Sequence, residues 1–428
     1  MRDILIEISS PLSTLGNNGP NSYSETDPRF YTFLNEPYKE DATETTDYKN
    51  VVAAIKFLRS KPTTPFMVFL PLTKPHPPYS CPEPFYSSIN ASELPPLRPP
   101  GSSDKPDFHA LIREYRNLTA LNTLEGGEEL FFRQLHAVYL GSISFSDFLF
   151  GMLMAALKDS GLEDSTTVTV FADHGDYAGD YGLVEKWPSG LEDVLTRVPL
   201  LVRTPGGTRG HVVQEPVQLF DIVPTTLELA NITAQHVHFG KSLVQQLQGA
   251  MGDPTRAVYA EGGYSTHEPR DFEGDASTGG IPRPKSVYYP KLLQQQEKPL
   301  SVCRASSVRT LTHKLIFRTD PLDADHHSEL YDLAQDPQEL RNVYGLPEYA
   351  QVQADLKNKL FLWFMQTSDV TPWVEDPRSG LPDIPKADTP VIHNTPTSPA
   401  RNLPSGFPFD ATADTSEERH QDVLFFVN

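Results

Sequence analysis

Thr166-Thr-Val-Thr-Val-Phe-Ala-Asp-His-Gly-Asp-Tyr-Ala-Gly-Asp-Tyr-Gly-Leu-Val-Glu-Lys186 is the stretch that decides the fold. Its first six residues are β-branched or apolar, which predicts a buried strand over 166–171. Asp173 and His174 then stand at the carboxyl end of that strand, the end at which open α/β sheets bind ligands. Gly175 lets the chain turn sharply away. A carboxylate beside an imidazole can ligate a divalent cation. Lys186, after a Gly-rich excursion, can fold back over the same strand end and add positive charge for an anion. A bare Asp-His-Gly is more often a turn or a helix cap, so the decision rests on its surroundings.

Those surroundings alternate helix and strand. Apolar residues at Leu130, Phe131, Leu135, Val138, Tyr139 and Ile143 predict a helix over 127–158, bent near Gly141 and ended by Ser160-Gly161. Val51, Ala54, Ile55 and Leu58 predict another over 47–59, capped by Thr46 or Asp47. Between these two helices, Pro65-Phe-Met-Val-Phe-Leu70 is a continuous apolar run, as expected of a parallel strand buried on both faces. It leads into Leu70-Pro-Leu-Thr-Lys-Pro-His-Pro-Pro-Tyr79, where prolines on both sides keep His76 out of any helix. A histidine fixed at a strand end suits a general acid or an anion contact, with Lys74 two residues before it. The competing reading is a solvated Pro-rich loop.

Downstream, strands are expected over 198–203, 307–312, 314–318 and 329–333, and helices over 219–230 and 349–366. The chain divides into an irregular segment 1–45, a partial α/β core 46–245, a loop-rich insertion 246–300, a C-terminal subdomain 301–370 and a Pro-rich tail 371–428, expected to hug the surface or stay disordered. The net charge of −20 argues against nucleic acid as a general partner, since phosphate backbones need a basic surface. Two cysteines, Cys81 and Cys303, exclude a disulfide framework. Sequons at Asn90, Asn117 and Asn231 are weak evidence of secretion. The first residues show no apolar signal-peptide core, and no run of about 18 apolar residues predicts a membrane span. Compartment and oligomeric state have no signal of their own.

Taken in order, these segments resemble the sulfatase family of the alkaline phosphatase superfamily. The resemblance is carried by Pro75-His-Pro-Pro-Tyr79, Asp159-Ser-Gly-Leu162, Asp173-His-Gly175, Gly179-Asp-Tyr-Gly-Leu183 with Lys186, Val198-Pro-Leu-Leu-Val202, Asp221-Ile-Val-Pro-Thr-Thr-Leu227 and Gly240-Lys-Ser-Leu243. Arg309-Thr with Lys314, Glu329-Leu-Tyr-Asp-Leu333, and Asp336-Pro with Glu339 and Asn342 extend it to about residue 370. It implies an alkaline-phosphatase-like three-layer α/β sandwich with a mainly parallel sheet, plus a small C-terminal α+β subdomain. It further implies that Asp173 and His174 bind a divalent cation, calcium first, with manganese and magnesium as the other candidates. His76 would contact the sulfate and protonate the leaving oxygen, and Lys186 would contact sulfate oxygens. Lys74 is carried only as a neighbour of the substrate-binding motif. The implied partner is a small sulfated substrate.

The sequence also departs from the family. Its C/S-x-P-x-R segment, whose Cys or Ser becomes formylglycine, has no counterpart: Cys81 opens C-P-E-P-F, Cys303 opens C-R-A-S-S, and Thr397-Ser-Pro-Ala-Arg401 has the wrong first residue. The paired aspartates of the family's first strand are missing too, and Tyr181 stands where His is common. The expectation is a core lacking its N-terminal strand, with open strand edges, inactive or unstable alone. Three functions remain open: a sulfatase in truncated form, a phosphonate or phosphodiester hydrolase of the same superfamily, and a catalytically dead sulfatase-like binding protein.

Overall fold

The structure, a computed structural model, describes residues 5–7, 21–100, 104–234, 236–265, 284–319, 328–368 and 422–427. Its elements are β1 (Leu5–Glu7), α1 (Thr46–Arg59), β2 (Met67–Pro71), α2 (Asp107–Tyr115), α3 (Gly127–Asp159), β3 (Thr166–Phe171), α4 (Asp193–Thr196), β4 (Leu200–Arg203) and α5 (Ile222–Leu229). There follow α6 (Val244–Leu247), β5 (Val258–Gly262), α7 (Tyr289–Glu297), β6 (Ala305–Arg309), β7 (His313–Arg318), β8 (Glu329–Asp332), α8 (Ala350–Thr367) and β9 (Asp422–Val427). The Thr397–Arg401 stretch lies outside the described residues.

The main sheet has the order β1-β2-β9-β3-β4 and is parallel except for β4. Alternation along β2 builds two faces. Val68 and Leu70 meet Val51, Ile55 and Leu58 of α1 and Phe145, Leu149 and Leu153 of α3. Met67 and Phe69 pack toward Ile222 of α5 on the other face. The result is the expected helix–sheet–helix sandwich, each fully buried Leu, Ile or Val contributing roughly 1.5–3 kcal/mol. α1 is capped by Thr45, which accepts from the Tyr48 N–H at 3.2 Å, one residue ahead of the expected caps. α3 runs unbroken over 33 residues, and Gly141 lies within it. It is small because a Cβ there would lie 2.3 Å from the Phe85 carbonyl oxygen. α3 is long and apolar enough to cross a membrane by length and composition alone, and was not expected to be. Here Phe145, Leu149 and Leu153 on one of its faces are buried in the core.

Three expectations need correcting. β1 lies within the segment expected to be irregular and pairs in parallel with β2. The sheet has no gap where a central strand was expected to be missing: β9, from the segment read as tail, lies between β2 and β3 and is parallel to both. Val423-Leu-Phe-Phe-Val427 is as continuous an apolar run as β2, but its Pro-rich surroundings hid it. Finally, the supposed insertion 246–300 contributes β5 to the second sheet, order β5-β6-β7-β8 and antiparallel throughout, and also α7. α8 covers that sheet through Leu356 and Leu360 against Val308, Leu315 and Leu330.

The second sheet meets α4 and the loops around it along a buried ionic seam. Lys314 Nζ lies 2.9 Å from both Asp193 Oδ1 and Glu339 Oε1, and Arg318 lies 2.7 Å from Glu329. His109 Nε2 is 2.6 Å from Glu192 Oε1, and Lys105 donates to the Tyr331 hydroxyl at 2.9 Å. All of these charged groups are buried. Burial alone would raise the Asp193 carboxyl, but Lys314 and Arg309 bring it down to about 2. Several residues that carried the family resemblance in the C-terminal part, Arg309, Lys314 and Glu339 among them, therefore clamp the second sheet to α4.

Candidate functional site

Val427 of β9 is in register with both Pro71 of β2 and Phe171 of β3, so these two strands end level. The loops that follow them rise side by side from one end of the sheet, which brings the segments around His76 and Asp173 together.

The first loop is pinned before it reaches His76. Asp47, buried in the first turn of α1, accepts from the Thr73 and Lys74 N–H groups, each at 2.9 Å. Lys74 is also buried, and its ammonium donates to the Pro78 carbonyl at 2.9 Å and lies over the Tyr38 ring. The structure thus gives Lys74 a different place from the substrate contact suggested by its position in sequence: its charge is turned into the loop and holds the loop's shape. Tyr79 ties this loop to the second. Its hydroxyl donates to Asp176 Oδ1 at 2.6 Å and accepts from the Glu185 N–H at 2.7 Å. The second loop is fixed by Gly175, whose N–H donates to the Leu195 carbonyl at 2.8 Å. A Cβ at Gly175 would lie 1.9 Å from the Val194 carbonyl oxygen, so no other residue fits that approach.

His76 and Lys186, 110 residues apart in sequence, meet at 2.9 Å between Nε2 and Nζ. The other ring nitrogen, Nδ1, is 2.7 Å from the Pro77 carbonyl. A carbonyl only accepts, so Nδ1 carries the proton and Nε2 accepts from the Lys186 ammonium. Burial, and next the Lys186 charge, hold the imidazole below its ordinary value. In this state His76 is neutral. The His174 ring lies 6.4 Å from that of His76, centroid to centroid. Its Nδ1 faces the Gly175 carbonyl at 2.8 Å, and its Nε2 lies 3.7 Å from Asp173 Oδ2. The Asp173 side chain is 69% exposed, so it is open to a ligand from solvent.

Asp173 and His174 are the right kinds of donor for a cation, but they are two, and calcium takes six to eight oxygens. Among the described residues no group of three or more His, Cys, Asp or Glu side chains comes together to hold a metal. The described residues do not complete a calcium site, and no chemical step is derived through one.

Sequence reasoning missed Tyr79, Glu185 and Lys291. Glu185 is buried and its carboxylate receives Lys291 Nζ at 2.9 Å and 3.1 Å, with Lys186 Nζ at 3.3 Å. Burial alone would raise this carboxyl, but Lys291 and Lys186 bring it down to about 2. Tyr79 and Glu185 lie inside motifs already noticed. Lys291 comes from α7, in a region without a readable pattern. Asp176 is pushed up to about 7 by burial, against the hydrogen bond from Tyr79.

The profile described as Sulfatase matches residues 12–232, about half of the chain, and that described as N-sulphoglucosamine sulphohydrolase, C-terminal, matches residues 283–365. The chain belongs to the sulfatase family, within the alkaline phosphatase superfamily. It is 25% identical over 333 residues to the multifunctional alkaline phosphatase superfamily protein PehA of Trinickia caryophylli, a match covering 74% of this chain and 59% of that protein. It is also 25% identical over 391 residues to the uncharacterized sulfatase YidJ of Escherichia coli strain K12, covering 87% of this chain and 66% of that protein. In structure it is similar to the phosphonate monoester hydrolase SpPMH from Silicibacter pomeroyi, with a TM-score of 0.64 and 24% identity, covering 83% of this chain and 68% of that one. At that identity the likeness bears on the fold. The chain spans less than two thirds of the length of PehA and YidJ.

Proposed function

We propose that this chain is the anion-holding part of a sulfuric ester hydrolase, binding a small sulfate monoester at His76 and Lys186. The observation that carries the proposal is the 2.9 Å approach of the Lys186 ammonium to the neutral His76 ring at the strand ends. An ammonium pressed on an imidazole disfavours a second positive charge, and an arriving anion relieves that conflict. Lys186 would then turn to the sulfuryl oxygens and stabilise their charge. With the anion beside it, His76 gains proton affinity. It would take up a proton and pass it to the ester oxygen as the S–O bond breaks and the alcohol leaves. Asp173 and His174 would orient the ester from the neighbouring loop. A cation between them would need further donors, and the scheme does not rely on one.

The nucleophile that attacks sulfur is formylglycine in the family, and residues 1–428 contain no C/S-x-P-x-R to supply it. The chain by itself is therefore expected to bind without turnover. Calorimetry with inorganic sulfate and with 4-nitrophenyl sulfate tests the binding. Saturable binding of both, abolished in Lys186→Met, supports the reading, and absence of binding refutes it. Release of 4-nitrophenol by the purified chain would overturn the expected inactivity. Preference for a phenylphosphonate monoester over the sulfate would assign the pocket to a phosphonate hydrolase instead.

A further inference from the structure

Glu185 and Lys186 are adjacent in sequence and turned to different places. Glu185 has φ +62°, a conformation that side chains other than glycine's adopt at a cost. In it the carboxylate is 1% exposed while the Lys186 side chain stays 25% exposed and reaches His76. A buried carboxylate needs a cation. Two ammonium groups are within reach, and they are not equivalent: Lys291 touches both oxygens, at 3.1 Å and 2.9 Å, whereas Lys186 stands 3.3 Å from one. Lys186 is shared between the carboxylate and the 2.9 Å contact with His76.

We infer that Lys291 is a positioning residue: by satisfying Glu185, it keeps the Lys186 ammonium turned outward onto His76 instead of collapsed onto the carboxylate. This deepens the proposed function and rests on its reading of His76 and Lys186 as the anion site. The assignment is specific because Lys291 lies on α7, far from either loop in sequence. Were Lys291 lost, the buried Glu185 carboxylate would keep the Lys186 ammonium within reach, with the buried Arg116 guanidinium also bearing on it, and Lys186 would move to it. The groups bearing on His76 are Lys186, Glu185 and His174, together with the Pro77 carbonyl on its Nδ1. Lys186 is in contact with both His76 and Glu185.

The test is the nitrogen NMR signal of His76 in histidine-labelled full-length protein at one fixed pH above 8, where the imidazole is neutral. In the unaltered protein the Nε2 signal carries the shift of a nitrogen accepting a hydrogen bond. Lys291→Met is expected to lose most of that shift, Lys291→Arg to keep it, and Glu185→Gln to keep or enlarge it, since Lys186 then has no competing carboxylate. Should Lys291→Met fail to fold, the double variant Glu185→Gln with Lys291→Met removes both buried charges, and it should retain the shift. An unchanged His76 signal in a folded Lys291→Met protein overturns the inference. So does loss of the shift in the double variant, which would show that Lys291 acts by packing and not through Glu185. Adding inorganic sulfate to the unaltered protein separates the two claims: if sulfate leaves the His76 signal in place, the anion-site reading fails while the role of Lys291 is still read from the variants.

Discussion

The buried seam beside the second sheet and the pocket at the strand ends both gather charged side chains, and they do so in opposite ways. In the seam, Lys314 faces Asp193 and Glu339, and Arg318 faces Glu329, each positive group against carboxylates and all of them buried. In the pocket, Lys186 faces an imidazole, two groups that become positive on protonation, at 2.9 Å. Opposite charges sealed from water hold elements together. Two basic groups held in contact at a partly open surface, with the nearest carboxylate, Glu185, already taken by Lys291, leave room for an anion from outside. The first arrangement looks like structure and the second like a binding site.

The largest effect should come from removing what both regions stand on. Deleting residues 422–427 takes away the strand paired with β2 and β3 and splits the main sheet. The shortened chain is expected to lose its cooperative unfolding transition in calorimetry, and a normal transition would mean that β9 is dispensable. Next in size is Arg318→Met, which leaves Glu329 buried without its guanidinium. A loss of about 3–5 kcal/mol in denaturant unfolding is expected, the usual cost of breaking a buried pair from one side.

Lys186→Met should show the contrast most sharply. Its side chain is a quarter exposed and its removal relieves His76, so stability should change by less than about 1 kcal/mol, as at exposed ionic sites. Sulfate affinity should nevertheless fall at least about tenfold, near 1.4 kcal/mol. Equal losses of stability in Arg318→Met and Lys186→Met would erase the distinction between the regions. The smallest effect is in acid. The Glu185 carboxyl is held at about 2 against an ordinary 4.5, so its contribution to stability is complete above pH 4.5 and lost as pH falls toward 2. Glu185→Gln should flatten that part of the stability–pH curve, measured by thermal melts at each pH.

The sequence by itself determined the elements and the candidates. β-branched and apolar runs marked β2 and β3, a 3.6-residue period marked α1 and α3, and strand-end motifs marked His76, Asp173, His174 and Lys186. These signals are local, written in consecutive residues, and they can be read without knowing what lies across the fold. What only the tertiary structure decided is which groups share a charge environment. That His76 is neutral follows from Lys186, that Lys74 shapes its loop follows from the Pro78 carbonyl, and that Glu185 is stable follows from Lys291 on a distant helix. The placing of β9 belongs here too: its run was passed over as tail, and its position between β2 and β3 is a matter of pairing partners far away in sequence. Electrostatics and strand pairing act between residues that the chain's order keeps apart, so neither has a period or a spacing for sequence to show.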